Sequence, residues 1–366
     1  MQDLLLLSKD TPVAIIRNGL AETIVPERIP FYFRYRSDAK KWLESRAIDS
    51  HRINSRLLKK VLRLEHKDDM TAVLAVNAAT ITDNYWVKPF DDNALSYSDV
   101  RFKINLFDKL ALYGSVESFD LPPGRTPELT NTGSFEKCWR MENGQWWMYK
   151  AGKQEELFSE MLAFRVGSML GFSIAEYEVA GDYIKSSDFT DNARVDFEPA
   201  EGIICDEFNY VKIYQLLKAI DVEIAHQYVL MCYYDGLIFN MDRHEYNFGV
   251  IRNSDSGALL SLAPFFDHNI VLIARGYPGN EPKDMLITDF VELMKYIDKP
   301  IHIRKLDENE VKSAALSVPY EPPITNEISA PKEFAAQYLL RREKALKEHC
   351  GELIQYLMKG GFNGFR

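Results

Sequence analysis

The chain has 366 residues, 46% apolar and 27% charged, a composition typical of water-soluble globular proteins with room for two or three cores. A formal net charge of −10 argues against wholesale binding to nucleic acid or anionic membranes. The four cysteines, Cys138, Cys205, Cys232 and Cys350, form no C-x-x-C pair, which argues against a zinc ribbon or disulfide framework and fits reduced thiols in a cytoplasmic protein.

The apolar run Leu4–Leu7 is too short to span a bilayer and follows no basic segment, so it reads as a strand rather than a signal peptide. A second strand is expected at Val13–Arg17, before a turn at Asn18–Gly19. Residues 34–63 interleave basic residues with Trp42, Leu43, Ile53, Leu57, Leu58, Val61 and Leu62 at helical spacing, which predicts two amphipathic helices with solvated basic faces. Ala72–Val76 and Asp83–Pro89 read as strand and loop, and Val100–Leu112 as a small helix. Pro122, Pro123, Gly124 and Pro127 mark a boundary within Ser118–Glu128.

Beyond it, Phe135–Met141 and Trp146–Lys150 predict a strand pair turning at Glu142–Gly144. Glu155–Leu170 reads as a helix stopped by Gly171. Ile174–Val179 and Gly202–Cys205 are strand candidates, Val222–Tyr234 is a long apolar helix, and strands follow at Asn247–Ile251 and Leu259–Leu262. Pro331–Met358 reads as an amphipathic helix closed by Gly360–Gly361. A strand-rich region with one helix thus precedes a helix-rich one, the order of a two-lobed α+β phosphotransferase.

The chemistry concentrates in Phe239-Asn240-Met241-Asp242-Arg243-His244-Glu245-Tyr246-Asn247-Phe248-Gly249. Asp242 and Asn247 keep the Asp-x-x-x-x-Asn interval by which protein kinases place a hydroxyl-orienting carboxylate beside an uncharged magnesium ligand. Asp267 follows the apolar run Leu262-Ala263-Pro264-Phe265-Phe266, where an unpaired carboxylate would be costly to bury and a cation shared with ATP would remove the cost. Asn247 and Asp267 are therefore the expected magnesium ligands. Lys150 is the candidate cation for the α- and β-phosphates, with Lys88 as its competitor. Glu160 is its expected partner, with Glu156 competing one turn earlier. The loop Thr130-Asn131-Thr132-Gly133-Ser134-Phe135-Glu136-Lys137 offers backbone N–H groups to phosphate. His244 and Arg243 are expected to hold structure rather than do chemistry.

At these residues the chain resembles HipA-like serine/threonine kinases. Asp242-Arg243-His244 through Asn247-Phe248-Gly249, with Ala263-Pro264-Phe265-Phe266-Asp267, is similar to that family's catalytic and metal-binding pair. Phe158-Ser159-Glu160 with Leu170-Gly171 resembles its helix carrying the lysine-pairing Glu, and Gly133-Ser134-Phe135-Glu136-Lys137 its phosphate loop. Cys205, Glu207 and Phe208 lie where the family's hinge meets adenine through backbone groups. The resemblance covers roughly residues 128–360.

It implies a two-lobed kinase-like α+β fold: an additional amino-terminal α/β region over residues 1–120, an N-lobe over 121–208 and a helical C-lobe over 209–366. It implies ATP and Mg2+ as cofactors, catalysis by Asp242 with Lys150 and Glu160, and phosphate contacts from Gly133, Ser134, Lys137 and Lys150. It further implies a protein substrate with a Ser or Thr acceptor, autophosphorylation at Thr130 (or at Thr132 or Ser134), and for many relatives a toxin's role beside a DNA-binding antitoxin. Two other readings of the same residues are a small-molecule kinase and a non-catalytic regulator whose basic helices bind a partner or nucleic acid.

Overall fold

The opening apolar run becomes a strand, Leu4–Ser8, buried on both faces. It is flanked by Thr11–Arg17 and Tyr85–Pro89 in a four-stranded sheet completed by Leu20–Thr23 beyond Thr11–Arg17; the register given for each neighbouring pair is antiparallel. Side chains of a strand alternate between faces. Leu4, Leu6, Tyr85 and Val87 join one core with Val13, Ile16, Phe33, Trp42 and Leu43. Leu7 and Trp86 join a second core on the opposite face with Leu58, Phe107, Leu110, Trp139 and Trp146.

The computed structural model describes residues 2–275 and 285–357, and the chain divides into two compact units. The first comprises the chain up to Ala151 with Glu178–Ile203 and Val250–Leu260; the second comprises Gly152–Tyr177, Ile204–Gly249 and the chain from Ser261 onward. The Pro-rich stretch Ser118–Glu128 is no seam between units. The second core runs through it, joining Leu7 and Leu58 to Leu129, Trp139 and Trp146. The units therefore divide the chain differently from breaks at 120 and 208.

In the first unit, the expected strand pair is Lys137–Glu142 with Gln145–Lys150, extended by Tyr183–Ser187 and Tyr177–Ala180. A three-stranded sheet orders Leu259–Leu262, Gly249–Asn253 and Val195–Pro199. The basic segment forms helices Ala39–Ser45 and Ile53–Val61, as its periodicity predicts. Some of its charges are paired: Arg36 with Glu201 at 3.0 Å, Arg46 with Asp83 at 2.9 Å, and Lys59 with Asp69 at 2.8 Å.

Three expectations from the sequence fail for local reasons. Ala72–Val76 is not a strand: Asp68 accepts from the Thr71 N–H at 2.8 Å and caps the helix Asp69–Leu74. Val100–Leu112 is not one helix but two short ones, Tyr97–Val100 and Asp108–Tyr113. Asn105 breaks it, accepting from the Phe107 N–H at 3.1 Å and donating to Glu128 at 2.7 Å. Gly202–Cys205 is not a strand either. Glu201–Ile204 is a helical turn, after which Cys205 (φ 54°) and Asp206 (φ 63°) reverse the chain.

Asp196 in this unit is buried and accepts from the Asn84 N–H at 2.9 Å and its Nδ2 at 2.6 Å. Burial, then the nearby Asp83 carboxylate, pushes its pKa up to about 7. The folded chain thus favours the neutral acid. The stability this group contributes is full below the unfolded carboxylate pKa and is lost as pH rises towards about 7. Asp196→Asn keeps the accepting oxygen and removes the ionisation. It is expected to stabilise the protein by ~2 kcal/mol at pH 8 and by little near pH 4. Denaturant unfolding at both pH values checks this, and an equal effect at both would contradict it.

The second unit is built around the apolar helix, which runs Val222–Ile238 and is buried on nearly every side by Tyr210–Ile220, Met285–Met294 and Pro331–Cys350. The helix Gln154–Leu170 ends at Gly171 in the left-handed region, φ 79°, as its sequence predicts. The carboxy-terminal helix stops at Cys350 rather than continuing to Met358. Gly351 (φ 55°) turns the chain, and Ile354–Leu357 pairs in parallel with Ile301–Arg304. Met358 and Gly360–Gly361 lie outside the described residues. Among the described residues, no helix is long and apolar enough to cross a membrane.

Candidate active site

In the second unit the helix Val222–Ile238 ends in a left-handed residue, Phe239 (φ 57°), which turns the chain into the loop 240–248. Asn240 fixes the exit. Its N–H donates to the Asp235 carbonyl at 2.9 Å and its Nδ2 to the Asp235 carboxylate at 2.8 Å, while its Oδ1 accepts from the Asp242 N–H at 3.1 Å.

Arg243 organises everything around it. Its Nε and Nη2 donate to the two oxygens of the buried Asp235 carboxylate, both at 2.9 Å. Its Nη1 donates to the carbonyls of Asn247 and, at 2.9 Å, Phe266, and Nη2 also meets His268 Nε2 at 3.0 Å. One planar guanidinium therefore ties the helix, the Asp242–Asn247 loop and the residue before Asp267 together. Burial opposes the charge on Arg243, but the Asp235 carboxylate outweighs it and holds the guanidinium pKa up.

Asn247 is buried, and its Nδ2 donates to the Asp242 carbonyl at 2.9 Å, which fixes the amide's orientation and turns its oxygen away from that carbonyl. Asp267 stands in the left-handed region, φ 64°. On its other side Glu160, fully buried in the helix Gln154–Leu170, accepts from the His268 N–H at 2.9 Å, and Ser159 donates to the Val271 carbonyl at 2.8 Å. The competing Glu156 instead accepts from the Lys153 N–H at 2.8 Å and caps that helix. Asp242 is half-buried, and its pKa is raised by desolvation and by the charge of Asp267, which outweigh the nearby His244 and the arginines. The two carboxylates thus share one neighbourhood.

These residues suit magnesium. Among the described residues no group of three or more His, Cys, Asp or Glu gathers as a cation cage. A carboxylate and an amide oxygen are a ligand set that magnesium takes together with phosphate oxygens and water.

In the first unit, Lys150 and Lys137 are direct cross-strand partners at the open end of the strand pair and so share a face. Like charges placed directly opposite each other repel. Lys150 is largely buried, whereas Lys88 donates to the Leu95 carbonyl at 2.9 Å. The loop before Lys137 presents Thr132, Gly133 and Ser134 to solvent. Gly133 has φ 94°, a backbone conformation that favours glycine, and it packs under the flexible end of the Lys137 side chain. Thr130 departs from the expected acceptor geometry: its hydroxyl is buried and donates to the Ala79 carbonyl at 2.6 Å. In the segment Cys205–Phe208, Cys205 and Phe208 are exposed, and Glu207 accepts from the N–H groups of Phe208 and Asn209 at 3.1 and 2.9 Å.

No protein-family model and no curated protein matches the sequence. Among solved structures, Shewanella oneidensis MR-1 HipA, determined with HipB and operator DNA, is similar at TM-score 0.58 and 11% identity over 96% of this chain and 98% of that one. The chain has a HipA-like kinase fold. The Helicobacter pylori proinflammatory kinase CtkA is similar at TM-score 0.45 and 18% identity, over 59% of this chain and 94% of that one. The HipA-like match takes in nearly the whole chain, including amino-terminal residues where the sequence carries no such motif.

Proposed function

We propose that the protein is an ATP- and magnesium-dependent phosphotransferase acting on Ser or Thr hydroxyls of a protein. The observation that carries this reading is the Arg243 fork, which fixes the Asn247 and Phe266 carbonyls side by side with Asp242 in the same loop. Asp242 orients or deprotonates the acceptor hydroxyl, and its raised pKa suits a base. Asn247 and Asp267 hold magnesium, which when bound neutralises charge on the phosphate oxygens. Lys150, Lys137 and the Gly133 loop bind phosphate, and the Cys205–Phe208 segment receives adenine. Catalysis rests on positioning and charge neutralisation.

The finer reading includes action in the cytoplasm, a toxin's role and a DNA-binding, antitoxin-like partner. Its support is the likeness to a HipA solved with HipB and DNA. Autophosphorylation in the loop would fall on the exposed Thr132 or Ser134 more readily than on the buried Thr130.

The test is transfer of label from γ-labelled ATP with magnesium to the chain itself, to a mixture of Ser/Thr-containing proteins and to small alcohols. Label on protein Ser or Thr supports the reading. Label on small alcohols alone would replace it with a small-molecule kinase, and no transfer at all with a non-catalytic regulator.

A further inference from the structure

Arg52 is the residue before the helix Ile53–Val61, in the amino-terminal region to which the site assigns no role. Its side chain is buried and reaches the loop from behind. Nη1 donates to the Asn131 carbonyl at 3.0 Å and Nη2 to the Lys137 carbonyl at 2.5 Å. One rigid guanidinium thus bonds the backbone at both ends of the loop whose apex is Thr132-Gly133-Ser134. Two carboxylates flank it, Glu128 at 3.9 Å and Glu136 at 4.0 Å.

Each carboxylate also grips the loop's surroundings. Glu128 accepts from Asn131 Nδ2 at 2.9 Å and the Trp139 N–H at 2.7 Å. Glu136 accepts from the Asn54 N–H at 3.2 Å. A guanidinium needed only to neutralise Glu128 would not have to reach two carbonyls on either side of an exposed glycine turn. Lysine, a point charge on a flexible stem, cannot hold both with the same geometry.

We propose that Arg52 is the positioning residue of the phosphate loop: it sets the distance between the loop's two ends, so that the amino-terminal region shapes phosphate binding. This rests on reading residues 131–137 as the phosphate loop. Its signature is selectivity. A misplaced phosphate loop weakens ligands that carry phosphates and spares those that do not.

The experiment is calorimetric titration of the full chain with magnesium-ATP and, separately, with adenosine, for the wild type, Arg52→Lys and Glu136→Ala, each verified as folded by circular dichroism. Arg52→Lys is expected to weaken ATP about tenfold, the scale of a lost charge-assisted hydrogen bond, with adenosine unchanged. Glu136→Ala carries the same expectation through a partly exposed side chain, and decides the matter should Arg52→Lys not fold. ATP affinity unchanged in a folded variant overturns the role of Arg52, as does equal weakening of ATP and adenosine. A wild type that binds neither ligand overturns the nucleotide reading itself and this proposal with it.

Discussion

Asp242→Ala is expected to slow phosphoryl transfer by ~10²–10⁴-fold, the range of a positioned general base or more where orientation is lost too, while ATP still binds. Asp242 enters the loop through its N–H, bonded to Asn240, and its carbonyl, bonded to Asn247, and neither bond involves the carboxylate. The loop should therefore survive truncation. The variant removes a negative charge close to Asp267. Magnesium-ATP affinity should hold or tighten. The raised pKa also sets a sign: wild-type turnover persists above it and falls as pH drops through it, at higher pH than an ordinary carboxylate would give. Single-turnover rates and calorimetry on the same samples measure both quantities. Wild-type turnover in the variant would remove Asp242 from the chemistry.

Arg243→Met should cost ~3–5 kcal/mol of stability, because it strands the buried Asp235 carboxylate. The pair is almost wholly enclosed, with side-chain exposures of 4% and 0%. It also releases the Asn247 and Phe266 carbonyls, so the proposed magnesium ligands Asn247 and Asp267 lose the anchor their segments share. The double variant Asp235→Leu with Arg243→Met separates the two effects. Replacing both members of a buried ion pair by apolar groups is often neutral or stabilising, so much of the stability should return. Phosphoryl transfer should not, since the guanidinium that bonds both the Asn247 and the Phe266 carbonyls is gone. Full recovery of both would reduce Arg243 to a fold strut.

The candidate site is legible in the sequence where a fixed interval marks it. Asp242 and Asn247 sit on one loop, and the structure keeps them in contact through a single hydrogen bond. The helices Gln154–Leu170 and Val222–Ile238 were legible because caps and long apolar periods mark them. What escaped was long-range or unmarked. Arg52 meets the loop Asn131–Lys137 across a large sequence separation, and no local pattern announces that contact. Asp235 did leave a signal: a carboxylate within the apolar run Tyr233-Tyr234-Asp235-Gly236-Leu237 must find a cation, and Arg243 follows shortly after. Ala72–Val76 and Gly202–Cys205 differ from their apparent strand pattern for a common reason. Short apolar runs fit strand and buried helix equally, and a capping Asp68 or a left-handed Cys205 decides between them.

Titration of the purified protein with ATP, with and without magnesium and beside Asp267→Asn, tests the central claim most directly. The account predicts that ATP binds the wild type more tightly with magnesium and that Asp267→Asn loses this magnesium-dependent gain. Magnesium-dependent binding of equal strength in Asp267→Asn, or binding indifferent to magnesium in the wild type, would contradict it.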